Sequence, residues 1–186
     1  MSIKIPKLIN KEIEFSTPWF EVEAKTYDNS DLPYYALSLS DYVSVIATTQ
    51  DGKILLVRQF RPVKDEITLE LPSGCVDEGE TPEITARREL FEETGFEAQE
   101  MELLTVMNPD VGRLGNKLWC FFSPNVKQIF PKPQEVDIEL VCYSTSELSK
   151  LIQDGEFKHA LNLAVILIGF QHGKLKWNET LSNIRE

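Results

Sequence analysis

Residues Gly74 to Phe96 read GCVDEGETPEITARRELFEETGF, and this stretch decides the fold. Thr81 is a good N-cap, Pro82 fits the first helical position and Gly95 fits a left-handed stop, so a helix is predicted over 82–94. Glu89, Glu92 and Glu93 stand on it. At about 100° per residue, Glu89 and Glu93 lie about 40° apart, and Glu92 lies about 60° to the other side of Glu89. The three carboxylates therefore share one face, while Ile84, Leu90 and Phe91 are expected to point toward a core. Like charges at these spacings repel one another unless a cation intervenes. Arg88 is one such cation. A hard divalent ion, Mg²⁺ or Mn²⁺, is the other, since it takes oxygen ligands and keeps room for waters and phosphates. The plain alternative is an acidic helix face held in water.

Outward from this helix the chain alternates between strand and helix patterns. VSVIATT and KILLVRQF read as strands joined at Gln50-Asp51-Gly52, and ITLELP as a third closed by Pro72. MELLTVM and LWCFFSP flank the loop NPDVGRLGNK, VDIELVCYS follows as a strand, and SELSKLIQDG and HALNLAVILIGF read as helices, the second largely buried. The fold class is therefore α/β, a layered α/β/α sandwich around a mixed sheet, over residues 43–186. Residues 1–42 form an N-terminal arm. In it WFEVEAKTYD, the turn DNSDLP and YYALSLS make a β-hairpin, which must bury its few apolar side chains on the main domain or on a second subunit.

The segment 74–96 matches the pattern G-x5-E-x7-R-E-U-x-E-E-x-G-U, with U apolar, at every fixed position: Gly74, Glu80, Arg88, Glu89, Glu92, Glu93 and Gly95. The chain thus resembles the Nudix hydrolases, which cleave nucleoside diphosphates linked to another group with the help of a divalent metal. The resemblance implies that Glu89 and Glu93 hold metal, that Glu92 ligates metal or positions water, and that the Ser73 carbonyl is a backbone ligand. It makes Glu80 and Arg88 a structural charged pair. VRQFRP followed by LELPSG is similar to the branch that cleaves ADP-ribose and other ADP-sugars, where the Arg of Q-F-R contacts substrate. That puts Arg61 forward, with Arg58 behind it. In the same branch the N-terminal arm crosses to a partner subunit and its aromatics sandwich the adenine, which implies a homodimer and points to Trp19 and Tyr35. The usual Pro and Gly downstream are displaced in N-P-D-V-G-R. A late-loop acid closes over the site in such enzymes. QEVDIEL offers Glu135, Asp137 and Glu139 on one strand face, and Glu135 is the preferred base beside Glu92.

Composition narrows the setting. A net charge of −11 argues against non-specific nucleic-acid binding, which needs Lys and Arg. The longest apolar run, Leu161 to Phe170, is too short to span a bilayer, and no secretory signal is visible at the start. Cys75, Cys120 and Cys142 read as reduced thiols of a cytoplasmic protein, mostly packed. Arg113 and Lys117 are exposed loop cations. His159 and His172 sit at the ends of the last helix as packing or capping residues. The expected substrate is a nucleoside diphosphate sugar. Rival expectations are a dinucleoside polyphosphate, a dinucleotide cofactor, or a nucleotide-sugar sensor without turnover.

Overall fold

The computed structural model describes residues 3–131 and 133–176. The arm is a three-stranded antiparallel meander of β1 (Leu8–Ser16), β2 (Phe20–Tyr27) and β3 (Tyr34–Leu39). The expected hairpin is β2 with β3, in register from Phe20↔Leu39 to Lys25↔Tyr34. The additional strand, β1, has a poor pattern for a physical reason. Register shifts between Leu8 and Asn10 and between Ile13 and Phe15 break its alternation twice, and all its residues are exposed. Glu23 is buried at the centre of the meander. It is clamped by Lys11 at 2.6 Å and Lys25 at 2.7 Å. These two lysines hold its carboxyl below the usual range.

The remaining strands are β4 (Tyr42–Ala47), β5 (Ile54–Arg61), β6 (Glu66–Glu70), β7 (Ser73–Cys75), β8 (Phe96–Glu97), β9 (Glu102–Met107), β10 (Leu118–Ser123), β11 (Lys127–Gln128) and β12 (Ile138–Tyr143). The helices are α1 (Pro82–Thr94), α2 (Thr145–Gln153) and α3 (Ala160–Gln171). One sheet runs β7-β4-β10-β9 and another β12-β5-β6, with β8 and β11 as a short pair. β4 lies parallel to β10, and the other ladders are antiparallel, so the strand set is mixed.

Strand alternation explains the layers. Val43, Val45 and Leu55 pack with Ala86 and Leu90 of α1. Ile46, Ile54 and Leu56 face the other way, onto Leu148 of α2 and Val165 and Ile166 of α3. The result is helix, sheet, helix. α3 is apolar all round in sequence, yet only one stripe is buried, and Leu167 remains 54% exposed. No helix among the described residues is long and apolar enough to cross a membrane.

The arm is tied to its own domain through the loop before β10. Leu37 N–H donates to the Arg113 carbonyl at 2.8 Å, and Gly115 N–H donates to the Leu37 carbonyl at 2.9 Å. The Arg113 guanidinium lies 4.8 Å from the Tyr34 ring centre, and the Tyr34 hydroxyl donates to the Gly112 carbonyl. Lys117 lies over Trp119 at 5.8 Å. Both loop cations are thus engaged with aromatic rings.

Candidate active site

Helix α1 is built as its sequence predicts. The Thr81 side chain accepts from Ile84 N–H, Pro82 opens the first turn, and Gly95 closes the last at φ 75°. Leu90 is fully buried, and Phe91 packs edge-on against Phe130 with ring centres 5.6 Å apart. Ile84 departs from expectation. It is 53% exposed, because it sits on the first turn, outside the stripe that meets β4.

The helix lies against β7 so closely that Gly74 has no room for a side chain. A Cβ there would overlap the Glu89 carboxylate. Ser73 N–H donates to Glu93 Oε2 at 2.9 Å, which brings the Ser73 backbone to the carboxylates. The Ser73 hydroxyl is spent elsewhere, on the Leu71 carbonyl at 2.8 Å and Ser44 Oγ at 3.0 Å. Any role for Ser73 at the site therefore falls to its backbone.

Glu89, Glu92 and Glu135 each present a carboxylate oxygen within 4.8 Å of the others. Glu93 stands beside this trio, 3% exposed and turned toward β7. Glu135 arrives by a route the sequence pattern did not describe. β12 begins only at Ile138, and Asp137 has φ 72°, so strand alternation does not extend back to Glu135. Instead the loop is fastened to the end of α1. Ile129 and Phe130 N–H groups donate to the Gly95 carbonyl, and those of Gln134 and Glu135 donate to the Glu92 carbonyl at 2.8 and 3.3 Å. Glu139 pairs with Arg58 at 3.4 Å instead of joining the site.

Arg88 is the counter-charge within the cluster. It reaches Glu80 at 3.1 Å, Glu89 at 2.9 Å, Glu92 at 3.0 Å and Asp77 at 3.3 Å. Glu80 above all, and then Glu92 and Glu89, keep it cationic. Even so, the two buried acids resist ionisation. Burial, with help from the charges of Glu135 and Glu92, pushes the Glu89 carboxyl up to about 7 against the pull of Arg88. Burial, with Glu89 and Glu135 nearby, pushes Glu93 up to about 8 despite its bond from Ser73 N–H. Four carboxylates with one arginine make an oxygen-only, charge-deficient site. That donor set fits a hard divalent cation and has no thiolate or imidazole to favour a softer one.

Beside the cluster, β5, β6, β7 and the start of α3 enclose a cavity of about 1160 Å³, lined in part by Arg61, Glu70, Ser73, Gly74 and His159. Arg61 lies on its wall with two nitrogens on Glu70. Arg58 is engaged by Glu139 and by the Tyr143 hydroxyl at 3.1 Å. Glu70 escaped the sequence pattern. It sits on the polar side of the I-T-L-E-L alternation, which does not distinguish it from any solvated strand residue, and only the β5–β6 pairing reveals its partner. Trp19 and Tyr35 are 81% and 50% exposed on the arm, and neither lines this cavity. His159 occupies the N-cap position of α3, but its side chain makes no capping bond. Cys75 is exposed, Cys120 buried and Cys142 half-buried, and all three are free.

A helix with this glutamate face, packed on a glycine-led turn within an α/β/α sandwich, defines a protein class. The NUDIX domain family matches residues 39–163, and the chain belongs to that family. An ADP-ribose pyrophosphatase of Bacillus subtilis (strain 168) is 31% identical over 118 residues, covering 61% of this chain and 63% of the relative. A methanol dehydrogenase activator of Bacillus methanolicus is 47% identical over 62 residues, covering 33% of this chain and 34% of the relative. Both matches span less than two thirds of the relatives' lengths. A crystal structure of an ADP compounds hydrolase superposes with a TM-score of 0.77 at 20% identity, covering 94% of this chain and 97% of that one. That likeness shows the fold.

Proposed function

We propose that the protein hydrolyses the pyrophosphate bond of ADP-ribose or a related nucleoside diphosphate sugar, giving a nucleoside monophosphate and a sugar phosphate, with Mg²⁺ or Mn²⁺. The observation that carries this is the convergence of Glu89, Glu92 and Glu135 within 4.8 Å, beside the buried Glu93 and next to a cavity of about 1160 Å³. The similarity to an ADP-ribose pyrophosphatase supports the choice of substrate class.

Glu89, Glu92, Glu93 and the Ser73 carbonyl would hold the ion. Such an ion supplies positive charge against an anionic diphosphate and acidifies water. Glu135 or Glu92, the two more accessible acids of the trio, takes the proton from the attacking water. Arg61 meets the diphosphate from the cavity wall. Trp19 and Tyr35 stack on the base across a homodimer whose arms exchange places, since flat side chains grip a base at low conformational cost. Three free cysteines fit a reducing, cytoplasmic setting.

The test is a product assay. Wild-type protein is incubated with ADP-ribose and other nucleoside diphosphate sugars, with Mg²⁺, with Mn²⁺ and with chelator, and nucleoside monophosphate is quantified. Metal-dependent release of AMP from ADP-ribose is expected. No turnover of any of these substrates with either ion would overturn the proposal.

A further inference from the structure

Arg61 is held by one edge only. Its Nε and Nη2 donate to the two oxygens of Glu70, each at 2.8 Å. Its Nη1 has no hydrogen-bond partner among the described residues. Glu70 is itself braced, because Thr68 Oγ1 donates to its Oε1 at 2.6 Å. The strand register makes this possible. β5 and β6 pair Val57 with Glu70, Gln59 with Thr68 and Arg61 with Glu66, so Thr68, Glu70 and Arg61 fall on one sheet face. That face forms part of the cavity wall next to Ser73 and Gly74. The Arg61 charge is felt at Glu93, which places the guanidinium within electrostatic reach of the carboxylate cluster.

The burial is lopsided. The Glu70 side chain is 5% exposed, whereas that of Arg61 is 41% exposed. A buried carboxylate paired on both oxygens is a poor investment if stability is its only purpose, since the desolvation cost offsets most of the attraction. It is a good device for orientation. An unheld arginine surrenders rotamer freedom when it grips a ligand, and one already fixed in a fork does not.

On the reading of the chain as a nucleoside diphosphate sugar hydrolase, we propose that Glu70, braced by Thr68, is a positioning residue that presents the free Nη1 edge of Arg61 to the bridged diphosphate of the substrate. Glu70 touches no substrate and acts through Arg61 alone.

Two readouts test this on the full chain with saturating Mg²⁺. One is calorimetric binding of methylenediphosphonate, a non-hydrolysable bridged diphosphate. The other is steady-state hydrolysis of ADP-ribose. Arg61→Ala should weaken probe binding about 30-fold, and Glu70→Gln about 10-fold, the range of a lost charge-assisted hydrogen bond. KM should rise in both variants, while kcat changes by less than about 3-fold. The deciding measurement is the double variant, which should bind the probe as Arg61→Ala does, within about 2-fold. Equal losses from Glu70→Gln in both backgrounds, or unchanged probe binding in Glu70→Gln, would overturn the proposal. Should Glu70→Gln fail to fold, Thr68→Val in the wild-type and Arg61→Ala backgrounds carries the same comparison. It should show about a 3-fold loss in the first and none in the second. Wild-type protein that binds the probe with this pattern but does not cleave ADP-ribose would sink the substrate assignment and leave the positioning role standing.

Discussion

At the scale of single residues, the site depends on acids that are costly to ionise. Glu93 is the most enclosed of them, and Glu93→Gln keeps its shape while removing its charge. We expect metal-dependent turnover to fall by about 100-fold or more with the far-ultraviolet circular dichroism unchanged. Gly74→Ala attacks the same place by volume. Its methyl group would displace the Glu89 carboxylate, and a drop in kcat on the order of 100-fold is expected together with a lowered Tm, since overpacking a buried contact costs about 1–3 kcal/mol. The raised carboxyls also fix a pH response. Glu89 and Glu93 keep their protons to about 7 and about 8 in the folded chain, whereas an unfolded glutamate releases its own near about 4.3. The folded state therefore binds more protons between those limits, and its stability falls as pH rises through them. In chelator, these two acids should lower Tm progressively from about pH 4.3 to about pH 8, and Mg²⁺ should flatten that decline. A chelated protein whose Tm rises over this window would contradict the burial of these acids. Most of these residues were legible in the sequence because they lie within one short segment, where helical geometry alone fixes which side chains are neighbours. Glu70 was not, since its partner comes from another strand.

At the scale of elements, the contrast is between α1 and the loop of Glu135. The helix carries its own signals, with Thr81 and Pro82 at one end and Gly95 at the other, so its limits followed from local chemistry. Glu135 lies beside Glu89 and Glu92, but not by the strand alternation that put it forward. Backbone bonds to the carbonyls of Glu92 and Gly95 put it there, and such bonds leave no trace in side-chain patterning. β1 was illegible for a related reason, since its two register shifts scramble the period-two pattern. Its attachment depends on the buried Glu23, and the pH sign is opposite to that of the active-site acids. Lys11 and Lys25 depress the Glu23 carboxyl, so its contribution is present above about 4.3 and is lost as pH falls through the lowered value. Glu23→Gln should speed hydrogen exchange of the β1 amides by about 10-fold at neutral pH while leaving those of β4 and β10 unchanged. Uniform acceleration across the chain would mean that the arm does not open separately.

At the scale of the whole molecule, the arm is short of covering. Ile9, Ile13, Phe15 and Trp19 are 66%, 55%, 58% and 81% exposed, and exposed apolar side chains gathered on one element are what an interaction surface offers. The proposed homodimer would cover it. Sedimentation should give twice 21.3 kDa for the wild type and a single chain for Phe15→Asp. Trp19→Ala should remain dimeric and raise KM for adenine-bearing substrates. A monomeric wild type with full activity would remove the arm from the mechanism. The layered body was readable from alternating strand patterns, whereas the arm's place beside the loop of Arg113 was not, because it rests on backbone bonds, the Tyr34 hydroxyl and a guanidinium over the Tyr34 ring. A last consequence follows from Arg88. On the proposed function, a guanidinium already berthed on one oxygen each of Glu89 and Glu92 would share those acids with an arriving ion or yield them, and its contacts with Glu80 and Asp77 would keep it close by. The chain would thus carry its own understudy for the ion, keeping the glutamates gathered between one visitor and the next.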